Sequence, residues 1–215
     1  MANELQTQLP TDTWISASWE DYLQIVESDP SAKAKGYYYK GYMRVEMLPV
    51  GHDHAADEGA IALAINLFCM IKGIPSKILP NCSYRKAGIR ECQPDISVYF
   101  RQKVNSVPFG TAIIDLNRFP APDLVVEISA TTLLDDLGTK RSLYEELGVA
   151  EYWVIDVQNR EILAYTMANQ GSQRIQDSQI LPGLAIAILE SALRRSRETD
   201  QSQVGNWLFG QFQGG

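Results

Sequence analysis

Apolar residues in this chain occur in short runs, and the run at residues 124–128 has an acid, Glu127, inside it. A polar turn follows, then a helical pattern that contains Lys140, and then a second apolar run at residues 152–155. We predict a strand, a helix and a strand for this segment. Because a strand covered on both faces is a continuous apolar run, the acid is an exception. Its burial requires a metal ion or another cation as a partner.

Two helices are predicted before this segment. The first begins near Ser18, in the pattern of a capping box, and ends before Asp29-Pro30. The second is long: Asp53 is its expected N-cap, Lys72 lies in its last turn, and Gly73 stands in the usual stop position.

The remaining patterns predict strands, with one further helix near the end of the chain. Lys40-Gly41 and Asn159-Arg160 each separate two strand-like runs and indicate hairpins. The other expected elements are strands at 76–84 and 92–100, a short strand at 112–116 and a helix at 188–197.

The size and composition of the chain favour one globular domain. With 215 residues, 45% of them hydrophobic, the chain can bury a full core. We predict an N-terminal arm at 1–15, one domain at 16–200 and a C-terminal tail at 201–215 that contains several aromatic residues. The three cysteines are odd in number and lack CxxC spacing, which argues against a disulfide framework and against a zinc cage.

Charge and hydropathy restrict the expected partners and location. The net charge of −7 argues against tight, non-specific binding of duplex nucleic acid over the whole surface. The N-terminus lacks the pattern of a signal peptide, and the apolar stretch at 60–71 is short for a membrane span and is interrupted by Asn66. We therefore expect a soluble, cytoplasmic protein with no membrane partner.

Three residues suggest a catalytic site. Asp95 follows Pro94 at the start of a predicted strand, Glu127 lies inside another strand, and Lys140 lies four residues after Asp136 on a helix. Two carboxylates from neighbouring strands suit Mg²⁺, and a nearby lysine can orient or deprotonate water or hold an oxyanion. Spacing alone favours an alternative without catalysis. In it, Asp95 is a turn residue, Glu127 pairs with an arginine, and Lys140 lies on a solvated face.

Longer segments around the same residues resemble a known family. They are QPDISVY around Asp95, PDLVVEIS around Glu127, DDLGTKRSLYEELGVAEYWVIDV at 135–157, and LPGLAI at 181–186. These segments are similar to the Uma2 family (DUF820), a group of restriction-endonuclease-like proteins abundant in cyanobacteria. The resemblance runs from about Tyr37 to Leu193 and implies an α/β fold, a restriction-endonuclease-like mixed β-sheet flanked by helices.

The resemblance also implies roles for individual residues. The family pattern assigns Asp95 and Glu127 as ligands of Mg²⁺ (or Mn²⁺). The usual lysine of the PD-(D/E)XK pattern, two residues after the second acid, is Ser129 here. The resemblance implies that Lys140 replaces it from the following helix. Glu46 resembles an additional early acid of this superfamily.

Some acidic and histidine residues have two interpretations. His52, Asp53, His54 and Glu58 could form a metal cluster, but capping and solvent contacts are the more frequent roles at a helix start. His54 recurs in the family pattern, which implies a substrate or supporting role. Asp136 is equally compatible with a helix cap and with a partner of Lys140.

The basic residues before Asp95 form one cluster, Arg85, Lys86 and Arg90. They suit a solvated turn or, alternatively, a contact to the nucleic-acid backbone beside the site.

The resemblance implies a metal-dependent nuclease that hydrolyses phosphodiester bonds of nucleic acid, with DNA as the expected substrate. The alternative is a catalytically inactive nucleic-acid-binding or assembly module of the same fold, and a third possibility is a hydrolase of small phosphate esters. We also expect a homodimer, because nucleases of this fold often pair and the aromatic tail needs a surface to cover.

Overall fold

The backbone framework consists of two mixed β-sheets, seen in a computed structural model that describes residues 11–28, 34–47, 51–110, 112–169 and 171–214. The strands are β1 (Ile15–Ser16), β2 (Ala34–Tyr39), β3 (Tyr42–Met47), β4 (Ser76–Pro80), β5 (Tyr84–Lys86), β6 (Arg90–Cys92), β7 (Ile96–Phe100), β8 (Ile114–Asp115), β9 (Leu124–Ser129), β10 (Glu151–Asp156), β11 (Glu161–Ala168) and β12 (Gly171–Arg174).

Each sheet has six strands among the described residues. The first sheet has the order β1-β3-β2-β6-β5-β8, in which only β5 and β8 pair in parallel. The second sheet has the order β12-β11-β10-β9-β7-β4, in which only β9 and β10 pair in parallel. The predicted mixed α/β architecture is confirmed, and its strands are divided between two sheets.

The helical elements lie before, between and after these strands. They are α1 (Trp19–Ser28), α2 (His52–Lys72), a 3₁₀ turn (Arg101–Asn105), α3 (Leu133–Asp135), a π-helical turn (Asp136–Lys140), α4 (Arg141–Leu147), α5 (Ile186–Arg195) and α6 (Gln201–Gln213). The element that joins β9 to β10 is therefore one helical segment interrupted by a π turn.

The two hairpins and the ends of the first helices largely match the sequence patterns. Lys40, Gly41 and Arg160 adopt positive φ in the predicted hairpin turns. The backbone N–H of Asp21 donates to Ser18 Oγ at 3.0 Å, as expected for a capped start of α1. Gly73 ends α2 in the left-handed conformation. The predicted stop at Asp29-Pro30 lies outside the described residues.

Other boundaries were predicted wrongly. The N-cap of α2 is Gly51, and Asp53 lies in the first turn of that helix, where its side chain faces His52 instead of capping the backbone. The strand expected at 76–84 is broken after Pro80, because Asn81 has positive φ. The strand expected at 92–100 is likewise two strands, and Asp95 lies in the short connection between them.

One face of the second sheet packs on α2, α5 and α6. Apolar residues of α2, such as Ile61, Ile65 and Phe68, are buried there together with Val126 of β9. By length and composition alone α2 could cross a membrane, but these buried side chains belong to the core of the protein. Residues 201–213, part of the predicted tail, form α6, and Phe212 packs edge-to-face on Phe68 with ring centroids 5.1 Å apart.

The other face of the second sheet packs on α4 and on the first sheet. Tyr37 of β2, Val125 of β9, and Tyr144 of α4 belong to this second core, together with Tyr152 of β10. Because side chains alternate along a strand, Glu127 lies on the same face as Val125. The exceptional acid therefore points into the space between the two sheets and the helical segment after β9.

Candidate active site

Asp95, the residue just before β7, lies next to Glu127 of the adjacent antiparallel strand β9. The register of β7 and β9 pairs Ile96 with Val126, so the next positions along the two strands are Asp95 and Glu127. Directly opposite residues have Cβ atoms about 4.5–5.5 Å apart and point to the same face. The sheet therefore places the two carboxyl groups side by side, although they are distant in sequence.

Asp95 is buried and has a partner for each oxygen. Its Oδ2 accepts a hydrogen bond from the backbone N–H of Ile128 at 2.7 Å and lies 3.4 Å from Nε2 of His54. Its Oδ1 forms an ion pair with Lys35. Burial alone would raise the pKa of the Asp95 carboxyl, but His54 and the Lys35 ammonium outweigh it and lower that pKa. Asp95 is therefore a carboxylate at neutral pH.

Glu127 has tyrosine hydroxyls at one of its oxygens. The Tyr144 hydroxyl donates to Oε1 at 2.6 Å, and the Tyr37 hydroxyl lies 3.3 Å from the same atom. Burial raises the pKa of Glu127, and the nearby carboxylates of Asp95 and Asp136 raise it further, against the opposing effect of Lys140. An additional cation in the cavity would therefore favour the charged form of Glu127.

Lys140 is buried at the end of the π turn and points at acids. Its Nζ lies 2.8 Å from Oε1 of Glu46, 2.9 Å from Oδ1 of Asp136 and 4.0 Å from Oε1 of Glu127. It also lies 4.4 Å from the centre of the Tyr37 ring. Burial would lower the pKa of Lys140, but the acids around it outweigh burial and raise that pKa. Lys140 is an ammonium in this environment.

A single cavity of about 320 Å³ joins these groups. Its lining includes five residues that sequence reasoning singled out, namely Glu46, His54, Asp95, Glu127 and Lys140, together with Lys35. The sixth, Asp136, is buried and reaches the site through its ion pair with Lys140. Asp95, Glu127 and Lys140 therefore converge on one pocket, as the nuclease hypothesis requires.

Comparisons with known proteins show the family to which the chain belongs. A family model described as Uma2, "Putative restriction endonuclease", matches residues 19–201. The chain belongs to the Uma2 family. Its structure is similar to a solved structure described as "a putative nuclease belonging to DUF820" from Anabaena variabilis, with 21% identity and a TM-score of 0.55. That match covers 82% of this chain and 98% of the other and shows the same fold. Comparison with curated proteins gives no match.

The serine at position 129, where the resemblance to the PD-(D/E)XK pattern predicts a lysine, contacts the ion-pair network of Lys140. Ser129, which occupies the usual lysine position, hydrogen-bonds through its hydroxyl to Asp136 Oδ2. Asp136 also forms an ion pair with Lys140, so its carboxylate connects the Ser129 hydroxyl to the Lys140 ammonium. π turns occur often at functional sites, and here the turn includes both Asp136 and Lys140.

This Uma2 chain has a second group of possible metal ligands, which the sequence pattern alone did not favour. His54, Glu58 and Asp95 each offer a ligand atom, and these atoms lie within 4.8 Å of one another. His54 is buried and lies 3.4 Å from Asp95, so it is not a simple solvent contact at the helix start, whereas His52 and Asp53 are exposed. The spacing of His54 and Glu58, four residues apart on one helix face, was the available signal.

This donor set fits a divalent cation. It combines two carboxylates, the ligands preferred by Mg²⁺ and Mn²⁺, with one imidazole, which suits softer first-row metals. Glu127 lies in the same cavity, opposite Asp95, and is available as a further oxygen ligand.

Two members of the basic cluster before Asp95, Arg85 and Arg90, are paired with acids. Arg85 forms ion pairs with Glu27, at 2.8 Å, and with Glu91, and Arg90 lies 3.2 Å from Glu146. Arg85 and Arg90 lie in β5 and β6 and not in the solvated turn that the sequence suggested, and their ion pairs give no support to a phosphate contact by either arginine.

Proposed function

We propose that this Uma2 protein is a divalent-metal-dependent nuclease that hydrolyses phosphodiester bonds. The observation that supports it most directly is the convergence of two carboxyl groups and a buried ammonium on one cavity. Asp95, just before β7, lies beside Glu127 of β9, and Lys140 lies 4.0 Å from Glu127. This combination provides metal ligands and a fixed positive charge, the two requirements for stabilising a phosphoryl transition state.

Asp95 would hold the metal ion together with Glu127 and, from α2, with His54 and Glu58. When bound, a divalent ion in such a site lowers the pKa of a coordinated water and neutralises charge on a phosphate oxygen. We propose Mg²⁺ or Mn²⁺, and the imidazole of His54 favours Mn²⁺ of the two. The Ile128 backbone N–H and the Tyr144 hydroxyl keep the two carboxylates in place.

Lys140 would act as a cation and not as a base. The acids around it keep its ammonium protonated, because they raise the pKa of Lys140 against the effect of burial. A protonated lysine cannot remove a proton from water, but it can hold the attacking water and stabilise charge on the phosphate. Asp136 and Glu46 are positioning residues in this mechanism, since they contact Lys140.

The substrate class we propose is nucleic acid, with DNA as the first choice. The family description of a restriction endonuclease supports this choice. The acids of the cavity would repel a phosphodiester backbone in the absence of metal, so substrate binding should depend on the divalent ion. A homodimer stays a prediction, which sedimentation of the purified chain can test.

A catalytically inactive module is the second candidate. It is favoured by the ion pairs of the site, because Lys35 already neutralises Asp95 and Lys140 already lies among Glu46, Asp136 and Glu127. Such a network can be purely structural.

The test incubates the protein with Mg²⁺ or Mn²⁺ and supercoiled, linear and single-stranded DNA, RNA, and bis-p-nitrophenyl phosphate. Cleavage of nucleic acid that disappears in Glu127→Gln and Lys140→Met, and persists in the helix control Glu145→Gln, is the expected result. Cleavage of the small ester alone would indicate a phosphodiesterase of small substrates. Folded protein without activity towards any of these substrates would favour the inactive module.

A further inference from the structure

Lys35 is a second buried lysine in the site. It lies on β2, opposite Glu46 of β3, and is 3% exposed. Its Nζ forms an ion pair with Oδ1 of Asp95 and lines the same cavity as Glu127 and Lys140. No sequence pattern indicated this residue, because its position depends on how the first sheet packs over the second.

The contacts of Asp95 make Lys35 a competitor for a metal ion that binds at Oδ1. Oδ2 is engaged by the Ile128 N–H and by His54, and Oδ1 is engaged by Lys35. A divalent ion that binds Asp95 at Oδ1 must take the position of the lysine ammonium. The two cations would also repel each other strongly inside a cavity of low dielectric constant.

Lys140 differs from Lys35 in this respect. Its Nζ is surrounded by Glu46, Asp136 and Glu127, so it retains acidic partners when one of them binds a metal ion. The ion pair that is described for Lys35 is the one with Asp95. A metal ion at Oδ1 of Asp95 therefore breaks this ion pair and leaves Lys35 with the weaker, longer-range attraction of Glu58 and Glu127.

We propose that Lys35 is the resident cation of the metal-free site, which neutralises Asp95 and must leave Oδ1 before a divalent ion can bind there. This inference rests on the proposed function, because it assumes that Asp95 is a metal ligand. It makes Lys35 a positioning residue that stabilises the metal-free fold and sets the metal concentration at which the site becomes occupied.

The test measures binding of Mn²⁺ alone to the full chain by isothermal titration calorimetry. Lys35→Met removes the competing charge and should tighten Mn²⁺ binding. Adjacent opposite charges shift the proton affinity of a carboxylate by about 10- to 1,000-fold, and we expect at least about a 10-fold change for Mn²⁺. Lys35→Arg keeps the charge and can pair with Asp95 through two N–H groups, so it should weaken Mn²⁺ binding.

The control for the loss of one charge is Lys77→Met, outside the cavity, which should leave Mn²⁺ affinity unchanged. The inference predicts the order Lys35→Met tightest, wild type intermediate and Lys35→Arg weakest. If Lys35→Met does not fold, Lys35→Arg against wild type decides alone. Equal affinities, tighter binding by Lys35→Arg, or no Mn²⁺ binding by any of these proteins would overturn the inference.

Nuclease activity is independent of this outcome. A wild-type protein that cleaves DNA with Mn²⁺ while the Lys35 variants bind the ion equally would refute the role of Lys35 and keep the proposed function. The predicted order of affinities in a protein that cleaves no substrate would keep the role of Lys35 and refute the nuclease.

Discussion

Lys140 Nζ lies 4.0 Å from Oε1 of Glu127, although one residue is on a helical segment and the other is in the strand before it. The π turn at Asp136–Lys140 places the lysine on the side that faces the strand, and Asp136 links it to Ser129. The helical segment therefore brings a cation to the place where a lysine at position 129 would have pointed.

This relationship predicts a rescue. Lys140→Met should reduce DNA cleavage by about 10²- to 10³-fold, the usual cost of removing one group that stabilises charge in the transition state. Adding Ser129→Lys to Lys140→Met should recover part of that activity, because the new ammonium can reach Asp136 in the space that Lys140 vacates. Initial cleavage rates of the wild type and the two variants check this. If the double variant is as well folded as Lys140→Met but no more active, a lysine at position 129 cannot replace Lys140.

Lys140 should also contribute to stability. Removing one partner of a buried ion pair costs about 3–5 kcal/mol, because the remaining charges stay buried without compensation. Lys140→Met should therefore lower the free energy of unfolding by about that amount. Lys103→Met breaks a half-exposed pair with Asp123, whose carboxylate keeps the hydrogen bond from the Phe100 N–H, and should cost only about 1 kcal/mol. Urea denaturation of both variants measures the difference, and similar losses in the two would contradict the assignment of Lys140 as a buried ion-pair centre.

The hydroxyl of Tyr144 should matter for activity more than for folding. Tyr144→Phe removes the 2.6 Å hydrogen bond to Glu127, and loss of such a support for a metal ligand typically costs about 10- to 100-fold in activity or metal affinity. Tyr99→Phe is the matched control, since this buried tyrosine donates to Pro120 O. Each change should cost about 0.5–1.5 kcal/mol of stability. Equal cleavage rates in the two variants would show that Tyr144 does not position Glu127.

Sequence patterns predict those features of the site that depend on local structure. Glu127 was recognisable because a charge interrupts an otherwise apolar strand, and alternation along that strand determines the face it occupies. Gly73 and the Lys40-Gly41 turn were recognisable because left-handed backbone favours particular residues. The family resemblance added Asp95 and Lys140, which spacing alone left undecided.

The remaining features depend on packing between distant segments. Lys35 reaches Asp95 because the first sheet lies over the second, and no periodicity in residues 34–39 reports that arrangement. Asn81 breaks the predicted strand before Asp95 through its positive φ. Its side-chain amide also holds Glu58 at 3.1 Å. Glu58 carried a weak signal, its spacing from His54, which became meaningful only once α2 was placed beside Asp95.

The C-terminal helix should be part of the stable fold. Phe212 is 2% exposed and packs on Phe68, so Phe212→Ala should lower the free energy of unfolding by about 3–5 kcal/mol. Phe209 lies on the same helix and is 44% exposed, so Phe209→Ala should have a much smaller effect. Thermal and urea unfolding of the two variants compare them. Equal stabilities would mean that α6 does not contribute to the core in solution.

Glu151 predicts a specific pH dependence of stability. Burial raises the pKa of this residue, although Ser178 Oγ and the backbone N–H of Ile180 donate to its carboxyl group. The folded state then binds the proton more tightly than the unfolded state. The stabilisation is present below the unfolded pKa and is lost as pH rises through the raised folded pKa. The stability of the wild type relative to Glu151→Gln should therefore fall as pH increases from 4 to 8, and a flat or rising difference would contradict the raised pKa.

The proposed metal-dependent phosphodiesterase centre contains Asp95. It is tested most directly by the rate of DNA cleavage as a function of Mn²⁺ concentration for wild type, Asp95→Asn and Asp123→Asn. The control is closely matched, because Asp95 and Asp123 both follow a proline immediately before a strand, but Asp123 pairs with Lys103 and does not line the cavity described here. We predict no cleavage in EDTA, saturable cleavage with Mn²⁺ in wild type and Asp123→Asn, and none in Asp95→Asn. Cleavage by the wild type in EDTA, or an unchanged Mn²⁺ dependence in Asp95→Asn, would contradict it.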